Sequence, residues 1–256
     1  MSMGESVLES DAAIRPDQTR GTALLGAAAV LIWNDVAAEG REEFYRWHDN
    51  EHMPERLALP GFRRGRRFIR PGHSPEWFTM YEAAEVSALV SPQYLARLNA
   101  PTQATVSALR HFRNTSRAVC RLVHSRGSST GGLLLAMRLS VPVRRSDELC
   151  RDIRARAFPQ AMALTGIVAC HLYAADESAS FVPTAESGTR DFDVPMWVVL
   201  CEATRPDAAM TAAAIINGHE FRQLGVEARS DGGVYSLEIC RLGPQGTAGE
   251  FAREIR

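Results

Sequence analysis

The feature that most constrains this chain is an internal repeat. Residues Glu43 to Phe68 align with Glu148 to Tyr173 at a shift of 105, without a gap. Pro54 then meets Pro159, Ala58 meets Ala163, Leu59 meets Leu164, Gly61 meets Gly166 and Phe62 meets Ile167. Further along the shift becomes 120, so that Glu82-Ala83 meets Glu202-Ala203 and Val119-Cys120-Arg121-Leu122 meets Ile239-Cys240-Arg241-Leu242. The extra 15 residues fit within Ala174 to Pro195, a polar stretch that reads as a long loop between strands. A shared spacing of Pro, Gly and apolar positions points to one scaffold used twice.

Each copy reads as β-α-β-β-α-β. In the first, Leu24 to Trp33 is an apolar run suited to a buried strand, and Arg41 to Met53 is helical, with Glu42 and Glu43 at its positive end. Pro54 is expected to end or kink that helix, and Pro159 to do the same in the second copy. Phe62 to Arg70 and Trp77 to Ala83 are strands, Pro92 to Phe112 a helix, and Arg117 to His124 a strand. The predicted class is α+β: two tandem ferredoxin-like repeats whose antiparallel sheets pack into one barrel. The predicted boundaries are a disordered tail (1–21), a site-bearing repeat (22–125), a linker (126–132), a degenerate repeat (133–242) and a C-terminal tail (243–256).

Composition excludes several functions. The net charge of −1 gives no general attraction to nucleic acid or to an anionic membrane. No apolar run is long enough to span a bilayer, and the N-terminus lacks a secretion signal, so a cytoplasmic location is expected. All 29 basic residues are arginine; without lysine there is no Schiff-base chemistry and no P-loop lysine. Cys120, Cys150, Cys170, Cys201 and Cys240 sit in apolar stretches and are expected to be buried, reduced thiols.

The run Phe44-Tyr45-Arg46-Trp47-His48-Asp49-Asn50-Glu51-His52-Met53-Pro54-Glu55-Arg56, followed by Leu59-Pro60-Gly61-Phe62 and Arg66-Arg67-Phe68, resembles the dimeric α+β barrel superfamily. It is most similar to the EthD-like branch, with Trp47, His52, Pro54, Pro60, Gly61 and Arg67 at matching places. That resemblance implies the barrel fold but leaves the reaction open, since relatives include cofactor-free monooxygenases, lactone isomerases, dehydratases, haem proteins and proteins with no assigned activity.

His48 and His52 lie four apart and share one helix face, beside Trp47 and Glu51. Two imidazoles there can move protons to or from a substrate, or can simply be hydrogen-bonded surface residues. The repeat weighs on that choice: their counterparts are Ile153 and Ala157, so the scaffold itself does not need histidine at these places. The pattern His48-Asp49-Asn50-Glu51-His52 also spells the H-x-x-E-H of a zinc peptidase, which Pro54 and the small-barrel context argue against. A plain metal site on His48 and His52 stays open, and His111 is the haem candidate.

Alternation places Arg64, Arg66 and Phe68 on one face of their strand and Arg63 and Arg67 on the other; which face lines the barrel is left open. The resemblance favours Arg67 as a site residue. Trp77, Thr79 and Tyr81 share a face on the next strand, and Asn34 follows the first strand. The resulting expectation is a cofactor-independent enzyme moving protons on a small oxygenated or anionic metabolite in the barrel, of isomerase, lyase or monooxygenase type. His48, His52 and Arg67 are the catalytic candidates, and Trp47, Tyr81 and Asn34 would bind substrate. A non-catalytic binding or stress-response barrel and a metal- or haem-dependent oxygenase are the alternatives. The assembly is expected to be a monomeric pseudo-dimer or a homodimer.

Overall fold

The computed structural model describes residues 22–189 and 191–244; the predicted tails therefore fall almost wholly outside the described residues. Nine strands form the sheet: β1 (Ala28–Val36), β2 (Phe62–Ile69), β3 (Trp77–Ala83), β4 (Phe112–Arg126), β5 (Leu133–Ser140), β6 (Ile167–Ala175), β7 (Trp197–Ala203), the two-residue β8 (Glu227–Ala228) and β9 (Gly233–Leu242). Their order is β7-β6-β4-β1-β3-β2-β9-β5, and β5 pairs with β7, so eight antiparallel strands close a barrel while β8 hangs on β5. The halves interlock, because β4 pairs with β6 and β2 with β9. Closure removes open sheet edges within one chain.

Matching elements recur along the chain. The strands β1 and β5 start 105 residues apart (28 and 133), as do β2 and β6 (62 and 167), while β3 and β7 start 120 apart (77 and 197). The turns at Gly61 and Gly166 both take a left-handed backbone, with φ of 87° and 106°. Glycine tolerates that conformation because it has no Cβ.

Helices cover the outer face. The first rod joins Arg41–Trp47, a π turn at His48–His52, and Met53–Leu57; the second copy repeats it as Ser146–Asp152, Ile153–Ala157 and Phe158–Met162. The helix therefore does not end at Met53, as the proline suggests. Pro54 and Pro159 each sit just beyond a wide turn, where Met53 N–H bonds His48 C=O and Phe158 N–H bonds Ile153 C=O, five residues back. The wide turn changes the register of the ladder at the residues where proline brings no N–H, and the rod continues. The expected 92–112 helix is instead two helices, Pro92–Asn99 and Gln103–Leu109, each capped by a hydroxyl oxygen that accepts a backbone N–H, Ser91 from Tyr94 and Thr102 from Thr105. Pro101 interrupts them, and β4 begins at Phe112, five residues earlier than expected.

The inner faces of the strands fill the barrel. Ala29, Leu31, Trp33, Phe68, Phe78, Met80, Leu134, Tyr173, Leu200 and Tyr235 form one buried cluster drawn from both halves. Trp33 packs on Phe78 at 4.7 Å between ring centres, and Arg138 stacks on Trp33 at 4.7 Å. Arg64 and Arg66 also point inward, which settles the orientation of β2. Arg66 Nη1 donates to Glu202 at 2.6 Å and its Nη2 lies 3.3 Å from Glu82, while Arg64 Nε donates to Glu82 at 2.7 Å. Each glutamate also accepts a backbone N–H, Glu82 from Leu25 and Glu202 from Gly131. Buried charges survive here because each is paired and hydrogen-bonded. Four cysteines are buried as expected; Cys240, close to the end of β9, is exposed.

Candidate functional site

The site residues gather outside the barrel, between the first rod and the outer face of β1 and β3. A reaction site inside the barrel, as the sequence suggests, is contradicted by the packed interior. The cavity found instead has about 40 Å³ and is lined by His48, His52 and Trp47 from the rod, Asn34 from β1, and Thr79 and Tyr81 from β3. Alternation along β1 and β3 is what sends Asn34, Thr79 and Tyr81 to the helix side. Phe44, Leu109 and Phe112 close the apolar part.

His48 is 3% exposed and is engaged at both nitrogens. Arg67 Nη1 lies 2.9 Å from Nδ1, and Tyr81 Oη lies 3.1 Å from Nε2. A guanidinium only donates, so Nδ1 is the acceptor. The neutral ring then carries its proton on Nε2 and donates it to Tyr81 Oη, which leaves the phenolic proton for another acceptor. Burial pushes the His48 pKa down to about 4; Asp49 partly opposes this and the Arg67 charge adds to it. His48 is therefore neutral at physiological pH and orients Tyr81. Burial raises the Tyr81 phenol, so it stays protonated. His52 stacks on Trp47 at 4.3 Å and lies 5.8 Å from the His48 ring, while Trp47 Nε1 is anchored on Thr105 Oγ1 at 3.0 Å.

Arg67 does not line the cavity. It reaches His48 from behind, and its other donors go to Asp49 and to Glu238 at 2.7 Å, with the guanidinium over the Phe44 and Tyr45 rings. With two carboxylates already on it, Arg67 positions His48 and is not an open anion site. Asn34 lines the cavity and donates a long bond (3.4 Å) to the backbone of Asp35. Glu51 accepts from Thr102, away from the two histidines, so the peptidase pattern is not assembled. Among the described residues no group of three or more His, Cys, Asp or Glu is placed to hold a metal.

Haem does not fit these residues. His48 has both nitrogens committed, and the space beside it is an order of magnitude below the several hundred Å³ of a typical cofactor pocket. His111, the haem candidate, lies outside the cavity, 3.5 Å from Glu43 and against Gly40.

Arg56 and Glu186 are among the cavity residues that escape the sequence reading. Arg56 follows His48 and His52 at the next four-residue step, but it lies beyond the proline expected to end the helix. It is 3% exposed and donates to Glu186, which comes from the long loop of the second half. No local pattern in 174–195 marks Glu186. That loop is not a solvated excursion: Glu186 N–H bonds Leu98 C=O, Ala185 N–H bonds the Asn99 side chain, and Ser180 Oγ accepts from Val119 N–H.

The second half has no such site. The counterparts of Asn34, His48, His52, Arg56 and Arg67 are Leu139, Ile153, Ala157, Ala161 and Leu172, and those of Thr79 and Tyr81 are Val199 and Cys201. All seven are buried in one apolar core.

No family model matches the chain, and no curated protein matches it. Solved structures do. An anthrone oxidase-like protein superposes with a TM-score of 0.54 at 9% identity, covering 87% of this chain and 95% of its own. A candidate monooxygenase from Fusobacterium nucleatum gives 0.50 at 8%, covering 86% and 96%. A heme-binding protein from Thermus thermophilus gives 0.50 at 10%, covering 84% and 92%. Identities this low show the fold alone: the chain has the dimeric α+β barrel fold of these neighbours.

Proposed function

We propose that this protein is a monooxygenase-like enzyme that moves protons on a small, oxygenated cyclic substrate held between the first helical rod and β1 and β3. One observation carries the reading. At seven corresponding positions the first half is polar, with six of the seven lining a cavity, while the second is apolar and packed. The shared scaffold therefore has no structural need of these polar groups, and burying them costs stability unless they are used.

In this reading His52 takes a proton from the carbon next to a carbonyl. Tyr81, aligned by the His48 Nε2–H, donates its phenolic proton to the oxygen on which negative charge develops. Arg67 positions His48, and Trp47 and Asn34 shape the pocket. Deprotonation to an enolate is the step shared by isomerases, lyases and cofactor-free monooxygenases, the last using the electron-rich carbon to reduce dioxygen. The presence of proton-transfer side chains in the cavity supports a cofactor-independent reaction, and the anthrone oxidase-like neighbour supports the oxidative variant with a cyclic ketone. The motif at 44–68 supports an EthD-like ancestry and the matched offsets support a tandem duplication; closure of the barrel by one chain supports a monomeric pseudo-dimer.

Oxygen uptake and product formation with anthrone and smaller cyclic ketones, compared between wild type, His52→Ala and Tyr81→Phe, test the proposal. Turnover that both substitutions leave unchanged would overturn it. The smallness of the cavity favours a second reading, a binding protein without turnover; saturable ligand-induced thermal shifts with no product would support that instead.

A further inference from the structure

The buried ion pair at the far end of the cavity is half used. Arg56 is held through Nη2 by Glu186 and lies over the Tyr94 ring at 5.7 Å. Its Nη1 is buried and, among the described residues, makes no hydrogen bond. Leaving such a donor unpaired costs stability, and the counterpart Ala161 shows that the scaffold functions as a fold without it. Arg56 and Glu186 both line the cavity, on the same wall system as His52 and Tyr81.

Resting on the proposed function, we infer that Arg56 Nη1 is the anchor for a ligand oxygen, and that the ligand is an aromatic or cyclic carbonyl or hydroxyl compound, not a carboxylate. The charge state sets the class. Glu186 already neutralises Arg56, so a second full carboxylate on the same guanidinium would meet like-charge repulsion in a poorly solvated space. A neutral oxygen accepts from Nη1 at no such cost and gains from it as negative charge develops. Room for the ligand comes from the adjoining hollow of about 30 Å³, which shares Leu98, Arg117 and Glu186 with the first. Of the three, Leu98 is the side chain that must yield, since Glu186 stays paired with Arg56 and Arg117 with Tyr94, and a single aromatic ring needs on the order of 150 Å³.

The test measures binding of 1-naphthol, naphthalene and 1-naphthoate to the full chain by fluorescence titration. The variants are Arg56→Lys, which keeps the charge facing Glu186 but loses the planar fork, and Arg56→Met with Glu186→Gln, which removes both charges so that no buried ion is stranded. Wild type is expected to prefer 1-naphthol to naphthalene, and both variants to lose that preference by about tenfold to a hundredfold while retaining naphthalene. Retention of the preference in both variants would overturn the anchor while leaving the pocket standing. Naphthoate binding as tight as naphthol would overturn the ligand class. Failure of wild type to bind any of the three would remove the cavity as a ligand site, and this inference with it.

Discussion

Replacing His48 with glutamine should flatten the acid side of the stability curve by about 2 kcal/mol. The folded pKa of about 4 lies below the ordinary 6.5, so the unfolded chain takes up the proton first. The stability tied to this group is complete above pH 6.5 and is lost as pH falls toward 4. Working the two binding curves at pH 7 and pH 5 gives a loss of about 2 kcal/mol from His48. His171 adds about as much: it is buried in the barrel and held down to about 3, first by burial and then by the charges of Arg66 and Arg64. Wild type should therefore lose about 4 kcal/mol from the two groups between pH 7 and 5, and His48→Gln about half of that. Glutamine can still accept from Arg67 and donate to Tyr81, so the site geometry is retained. Urea unfolding followed by tryptophan fluorescence at pH 7, 6 and 5 reads the difference. Parallel pH profiles for wild type and variant would refute the buried, neutral imidazole and with it the assignment of the Nε2 proton.

Tyr81→Phe should lower turnover of a cyclic ketone about a hundredfold and unfolding free energy by about 1–2 kcal/mol, because His48 Nε2–H loses its buried acceptor; steady-state kinetics and denaturation check both. Arg67→Met should raise the His48 pKa by removing an adjacent positive charge, visible as a shifted imidazole titration in NMR; an unmoved titration would count against the contact. Arg66→Met should cost about 3–5 kcal/mol by stranding Glu202 in the barrel, while Glu82 keeps its pair with Arg64. Adding Glu202→Gln should restore part of that, and ligand binding outside the barrel should not change.

The alternation of β3 was legible residue by residue: Trp77, Thr79 and Tyr81 face the helices and Phe78, Met80 and Glu82 the interior, because a strand's side chains must alternate. His48 and His52 were legible for a similar reason, a helical period seen against an apolar second copy. Arg56 was hidden by a local rule, since a proline normally stops a helix and the π turn that carries this one past Pro54 depends on the packing of the rod on the sheet. Glu186 was hidden more deeply: it is 130 residues from Arg56 in sequence, and no local pattern encodes a contact made only when the barrel closes. Periodicity and repeat spacing thus determined the elements and their class, through short-range backbone sterics. Which side of the sheet holds the cavity, which arginines are spent on internal glutamates and which loop completes the site were decided by closure of the barrel, because only closure settles which surfaces lose water.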